Sequence, residues 1–322
     1  MKQSSVVHQK GERLQPYVKK TLGQKMAANF KRYFWLYIFV LPMLVWWLLF
    51  HYVPMGGIVI AFKRYNGVKS IWESRWVGMK WFMKFFDSPY LWRLLRNTLT
   101  ISLYDLATFP LPIILALFFN EIRSAKYKKF AQTIMYAPHF ISIVVLVSMM
   151  HLFFSPQYGF INHIIKGMGG EPYSFMIKEE AFPHMYVWSN VWQGLGWNCI
   201  IYVAALSGVD PGLHEAARID GATRIQRILH INLPSILPTI VITFIMKVGH
   251  IMSVGADKVL LMRNDLNSAT AEVISTYVYS QGLVSGDYGY ATAVGLFTNV
   301  INLILLLIVN RISAKLSETS LF

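Results

Sequence analysis

Residues 209 to 239 read VDPGLHEAARIDGATRIQRILHINLPSILPT and lie between two long apolar stretches. The segment is too polar to cross a bilayer, yet it carries too many helix signals to be a plain linker. Asp210 followed by Pro211 offers an N-cap and a proline at the first helical position, which predicts a short helix through Glu215, Ala216, Ala217 and Arg218. Gly221 ends it, because glycine enters the left-handed region without a Cβ clash. A second helical stretch is expected from Ala222 to His230, after which Pro234 and Pro238 introduce the next apolar run. The result is an elbow of helix, turn and helix.

Composition says what the elbow is attached to. Of 322 residues, 55% are hydrophobic and only 14% charged, and the mean hydropathy is +0.42. That balance excludes a soluble globular enzyme, and an aromatic content of 15% excludes intrinsic disorder. Apolar runs extend from about Tyr33 to Phe62, Leu94 to Phe119, Phe130 to Phe154, Met185 to Leu206, Ile236 to Val259 and Tyr290 to Val309. Continuous runs of roughly 20 residues fit spanning helices, whereas barrel strands would alternate in segments of about ten. The expected fold class is all-α integral membrane, with six transmembrane helices. The first run begins too late and continues too far for a cleavable signal peptide, and a bend near Pro42 or an end near Pro54 is expected.

Lysine and arginine set the orientation. With both termini inside, the inner segments carry 17 basic residues and the outer loops ten, so the elbow faces the cytoplasm. Six of those ten (Lys63, Arg64, Lys69, Arg75, Lys80, Lys84) crowd into the first outer loop, against the general trend. The expected organisation is a basic cytoplasmic tail over 1–32, a permease domain over 33–310 with its loop at 209–235, and a cytoplasmic tail over 311–322. The net charge of +14 is spread over short loops and forms no single face, so nucleic acid is not the partner. Cys199 is the only cysteine and sits in an apolar run, so no intrachain disulfide can form and packing is its expected role.

Glu215, Ala216 and Ala217, then Gly221 after three intervening residues, then Ile231, Leu233 and Pro234, form a long and specific spacing. It resembles the coupling-loop signature of permease subunits of binding-protein-dependent ABC importers. In that family the first short helix docks into a groove on the cytoplasmic ATPase and the glutamate anchors the elbow. The resemblance places these roles on Glu215, Ala216, Ala217 and Gly221, with Ile231 and Pro234 completing the motif. It extends through YFWLYIFVLP from 33, RNTLTISL from 96, YAPHFIS from 136 and YATAVGLFTNVINLILLL from 290. These segments look like the sugar-type subgroup that imports oligosaccharides and polysaccharide fragments, alginate-type importers among them. The fold so implied is the type I importer permease fold. The partners so implied are a second permease, usually a different chain, two ATPase subunits and an extracytoplasmic solute-binding protein. The chain has no GxxxxGK[ST] run, so ATP and its magnesium fall to the partner ATPases and this subunit is expected to be non-catalytic and without a cofactor of its own.

Ionisable and polar groups inside spans mark a path or a site. Lys247 shares a helical face with Thr243 and His250, and span four presents Asn190, Gln193 and Trp197 in a stripe beside Gly194. In maltose-type permeases, which the chain resembles, sugar contacts come from the helices on either side of the coupling loop. Matching the loop motifs brings Asn190, Gly194 and Trp197 to those positions on span four, and Lys247 and His250 to those on span five. The matching family positions on span five are uncharged, so Lys247 suggests an acidic sugar such as a uronate oligosaccharide. Lys247 can equally snorkel or pair with Asp105, the one acidic residue well inside span two. Thr292, Gly295, Asn299 and Asn302 share a face of span six, where helix packing is the simpler role.

The alternative is a secondary transporter driven by an ion gradient, which would show internal repeats and paired interrupted helices. Neither is found. A membrane enzyme acting on lipid-linked sugar would need a carboxylate or histidine constellation, and the scattered Asp, Glu and His residues offer none. The expectation is an oligosaccharide importer subunit in the cell inner membrane.

Overall fold

The computed structural model describes residues 23, 29, 30, 32–317, 320 and 321. The basic residues Lys2 to Lys31 of the expected tail lie outside the described residues. Among those described, secondary structure is helical apart from a single bridge between Lys63 and Trp76. The chain divides into two compact units, one ending at Gly57 and the other beginning at Ile58.

In the first unit, α1 (Phe34–Trp47) carries Pro42 without ending there. A π turn over Leu48–Tyr52 follows, in which the Val53 N–H reaches back to the Leu48 carbonyl. Pro54 comes next, with no N–H of its own and a ring that would clash with the carbonyl four residues back. Widening the turn relieves both problems, so the helix passes the proline instead of stopping at it. The same device recurs in the second unit, where a π turn over Ile228–Asn232 precedes Leu233 and Pro234.

The second unit begins at Ile58, in the last turns of the first apolar helix, and continues through a loop to α2 (Lys80–Phe86). Next come α3 (Leu91–Ala107), α4 (Pro110–Glu121), α5 (Ala125–Tyr136), α6 (Ile143–Phe153) and α7 (Phe160–Gly167). The long α8 (Phe182–Ser207) leads to α9 (Pro211–Ile219) and α10 (Arg224–Val248). After α11 (Ala256–Met262) and α12 (Ile274–Tyr279), α13 (Tyr288–Ser317) closes the chain.

Among the described residues, four helices are long and apolar enough to cross a membrane: Phe34–Phe62, Leu91–Glu121, Arg224–Val248 and Tyr288–Lys315. A fifth is counted if Ala125–Phe140 and Ile143–Phe153, bent by 97°, form one broken span. Four of the expected spans differ in detail. The third span is not straight, because Pro138 lies in a tight turn over Ala137–Phe140 and Ser142 restarts the helix as an N-cap to Val145. The fourth corresponds to α8, long enough at 26 residues but carrying Asn190, Gln193 and Asn198. The fifth stops at Val248 instead of Val259, and α13 continues past Val309 through Arg311 and Lys315.

Helix α8 is the hub of this unit. On one side Tyr186 and Val187 pack with Leu146 and Met150 of α6 and Val259 and Met262 of α11. On another, Cys199, Tyr202 and Leu206 pack with Ala116 and Phe119 of α4 and Ile236 of α10. A third cluster joins Phe85, Leu94, Tyr277, Tyr290 and Val294 of α2, α3, α12 and α13. Gly196 lets α8 approach α5 so closely that a Cβ there would lie 1.9 Å from the Met135 carbonyl oxygen. Asn302 of α13 accepts from the Met252 N–H and donates to Ser253, which fits the packing role expected of that face.

Candidate functional site

The elbow forms as its residue types dictate. The Asp210 carboxylate accepts the Gly212 N–H at 2.9 Å and Pro211 opens α9. At the other end Gly221 has φ +78°, its N–H donates to the Arg218 carbonyl, and the Ala222 N–H donates to the Ala217 carbonyl at 2.8 Å. Those two bonds satisfy the last carbonyls of the helix and turn the chain sharply. Thr223 and Gln226 then cap each other reciprocally and start α10. The expected second limb from Ala222 to His230 is corrected here: it begins at Arg224 and continues, through the π turn, into the fifth span. A displacement of the elbow is therefore a displacement of α10.

Most of the elbow's surface is open. Leu213, Ile219, Ile225 and Leu229 are exposed, Ile219 to 87%, and Glu215 is exposed with no ion pair among the described residues. Ala216 and Pro234 are exposed, and Ala217 and Ile231 are half-buried. Exposed apolar groups around an unpaired carboxylate form a surface suited to a protein partner.

Between α3, α8 and α10 lies a polar cavity of about 410 Å³. Asp105, Tyr186, Asn190, Lys247, His250 and Ser253 line it. Lys247 Nζ stands 2.9 Å from Asp105 Oδ2 and also donates to the Asp105 backbone carbonyl at 2.9 Å. Lys247 is thus paired, as one of the two readings of its sequence position required. His250 Nδ1 bonds the Met246 carbonyl at 3.0 Å, leaving its other ring nitrogen for further contacts.

A second lysine stands behind this wall. Lys258 on α11, 4% exposed, donates to Asn190 Oδ1 and to the Tyr186 carbonyl and lies 5.0 Å from the centre of the Tyr186 ring. No carboxylate lies within ion-pair distance of it among the described residues. Burial pushes its ammonium down to about 8, a shift that the negative charge of Asp105 partly opposes. Sequence reasoning missed Lys258 and Tyr186, although a lysine at the edge of an apolar run was a signal in plain view.

The remaining predicted residues are engaged elsewhere. Gln193 Nε2 donates to the Ile141 carbonyl at 2.7 Å, satisfying the backbone where the broken third span parts. Trp197 stacks on His139 at 4.2 Å between ring centres and meets Phe140 edge-on, bracing the same break. Thr243 shares a hydrogen bond with Tyr202 at 2.8 Å. A Cβ at Gly194 would come 3.2 Å from Asn198. The stripe read from span four is thereby divided: Asn190 reaches the cavity, while Gln193 and Trp197 hold the kink.

A larger cavity of about 830 Å³ lies between α6, α7 and α8, lined chiefly by Met150, Phe153, Phe160, Met185, Trp188 and Trp192. Its lining differs in kind from that of the smaller cavity. An apolar recess in a membrane protein suits hydrocarbon, whereas the cavity beside Lys247 offers the hydrogen-bond partners that a hydroxyl-rich molecule needs. Two bases of the segment between the first and second spans are also tied down. Buried Lys63 donates to the Ile71 and Trp72 carbonyls, and Lys84 pairs with Asp287 at 2.9 Å. They brace this segment, so two of the six clustered bases have partners within the chain.

Spanning helices around a polar cavity, together with a capped elbow that continues into one of them, define the membrane subunit of a transporter coupled to a partner. The chain belongs to the family described as binding-protein-dependent transport system inner membrane component, whose pattern it matches over residues 108–318. It is 43% identical over 301 residues to Protein LplB of Bacillus subtilis (strain 168), covering 93% of this chain and 95% of that one. It is 42% identical over 305 residues to the polygalacturonan/rhamnogalacturonan transport system permease protein YteP of the same strain, covering 94% and 95%. Among solved structures it superposes with TM-score 0.84 and 38% identity on a chain of a bacterial alginate ABC transporter in complex with an alginate pentasaccharide-bound periplasmic protein. That match covers 92% of this chain and all of the other. The fold is the type I ABC permease fold that the elbow motif implied.

Proposed function

We propose that this chain is one membrane subunit of an ATP-driven importer that passes an acidic oligosaccharide, of the uronate type, across the cytoplasmic membrane by alternating access. The observation that carries this reading is that a single helix, α10, runs from the elbow at Arg224 to Lys247 in the cavity wall. A push on the elbow by a closing ATPase dimer is delivered to the cavity without an intervening joint. The acidic cargo is supported by Lys247 in the cavity wall with a second cation, Lys258, buried behind Asn190, against the one carboxylate of Asp105, and by similar proteins whose names include polygalacturonan and alginate. A second permease, two ATPase subunits binding ATP and magnesium, and an extracytoplasmic binding protein complete the assembly. The elbow and both termini face the cytoplasm in this reading.

The test is uptake of trigalacturonate into proteoliposomes holding the assembled complex, with the binding protein outside. Uptake is expected with ATP in the lumen and no ion gradient. Uptake that needs a proton or sodium gradient and ignores ATP would establish the secondary-transporter alternative.

A further inference from the structure

Asp105 occupies a place where a helix gains nothing from a carboxylate. It lies in the last turn of α3, just before the break over Thr108 and Phe109 inside the span Leu91–Glu121, and no basic side chain of that turn offsets its charge. Lys247, by contrast, lies in the last turn of α10, where a cation is favoured without any help. Lys247 also keeps the Asp105 backbone carbonyl as an acceptor at 2.9 Å whatever the carboxylate does. The lysine therefore does not need the carboxylate to hold its position.

The pair is not sealed either. Both side chains are 32% accessible and both line the 410 Å³ cavity, so another anion can reach the ammonium. Lys258 behind Asn190 adds a second positive charge with no carboxylate at ion-pair distance among the described residues, so an arriving anion meets a net positive wall. Hydrogen-bonding groups are in place around the pair, with Asn190, His250 and Ser253 on the same surface.

We propose that Asp105 is a built-in stand-in for a substrate carboxylate: it neutralises Lys247 while no sugar is bound, and a uronate carboxylate entering the cavity exchanges with it. This rests on the acidic-oligosaccharide reading above. The exchange serves transport in both directions of the cycle. Lys247 is never left as a bare cation in a desolvated cavity, and the return of Asp105 competes the sugar off when it must leave. Removing the stand-in should trap cargo: binding tightens and turnover slows.

The experiment measures binding of trigalacturonate and of a neutral trisaccharide of the same length to the assembled complex in lipid nanodiscs without the binding protein, by isothermal titration calorimetry. Wild type should prefer the acidic sugar. Asp105→Asn should bind trigalacturonate about tenfold more tightly, with the neutral sugar unchanged, and in proteoliposomes with the binding protein outside its maximal uptake rate should fall. Asp105→Glu keeps a carboxylate and should bind both sugars as wild type does, and Asp105→Asn combined with Lys247→Met should lose the acidic preference. Co-elution of the ATPase subunits establishes that each variant assembles. If wild type prefers the acidic sugar but Asp105→Asn binds it no more tightly, or if Asp105→Glu tightens as much as Asn, the stand-in is refuted and the acidic reading stands. A wild type without preference overturns both.

Discussion

The elbow and the cavity sit at opposite ends of α10, and they are built on opposite terms. Every bond that shapes the elbow is local: Asp210 to Gly212, Ala222 back to Ala217, Thr223 to Gln226. The cavity is made of distant pairs, with Lys247 against Asp105 and Lys258 against Asn190. A locally determined device can be exposed and still hold its shape, which suits a surface that docks and undocks. A site assembled from remote segments changes whenever those segments move, which suits a path that must open alternately to two sides. The difference is the one that the proposed division of labour requires, with coupling at the first and specificity at the second.

The largest effect should come from breaking the elbow alone. Gly221→Pro demands φ near −65° where the chain has +78°, and it removes the N–H that bonds the Arg218 carbonyl. We expect substrate-stimulated ATP hydrolysis and uptake to fall by about a hundredfold or more, the scale of a lost positioning element. Calorimetric binding of trigalacturonate to the same variant should stay within twofold of wild type. Uptake that survives would mean that the elbow does not carry the coupling, and lost sugar binding would mean that the two regions are not separable.

That separation also explains what was legible in the sequence. The first cap, the left-handed glycine and the turn of the elbow follow from residue type and spacing, so they were readable one residue at a time, apart from where its second limb starts and stops. The π turn before Pro234 hid the stop, because proline signals an end when the turn ahead of it cannot widen. In the cavity, periodicity placed Asn190 with Gln193 and Trp197 on one stripe. It could not show that the chain breaks at Ile141 and Ser142 and draws the last two away. Lys258 escaped because the fifth span ends at Val248, and the loop beyond folds back to bring the ammonium beneath Asn190.

A smaller effect probes the junction of the two regions. Asn232, in the π turn that joins the elbow to the span, is fully buried, and neither its amide oxygen nor its amide nitrogen has a hydrogen-bond partner among the described residues. Orphaned amide atoms cost about 1–3 kcal/mol, so Asn232→Leu, of similar volume, should raise stability by about 1–2 kcal/mol. Thermal unfolding of the detergent-solubilised complex, followed by size-exclusion chromatography, checks this. A destabilised variant would show that the amide has a partner in the assembled transporter.

Specificity by charge at the cavity is the central claim, and one ratio tests it: the initial rate of trigalacturonate uptake divided by that of the neutral trisaccharide, in proteoliposomes with the same binding protein for every variant. Holding the binding protein constant cancels its own selectivity from the comparison. Lys247→Met keeps the bulk of the side chain, removes its charge and leaves Asp105 as an unpaired carboxylate facing the cargo. The account predicts that this variant lowers the ratio about tenfold or more, by loss of the acidic sugar's uptake alone. An unchanged ratio, or an equal loss of both sugars, would contradict it.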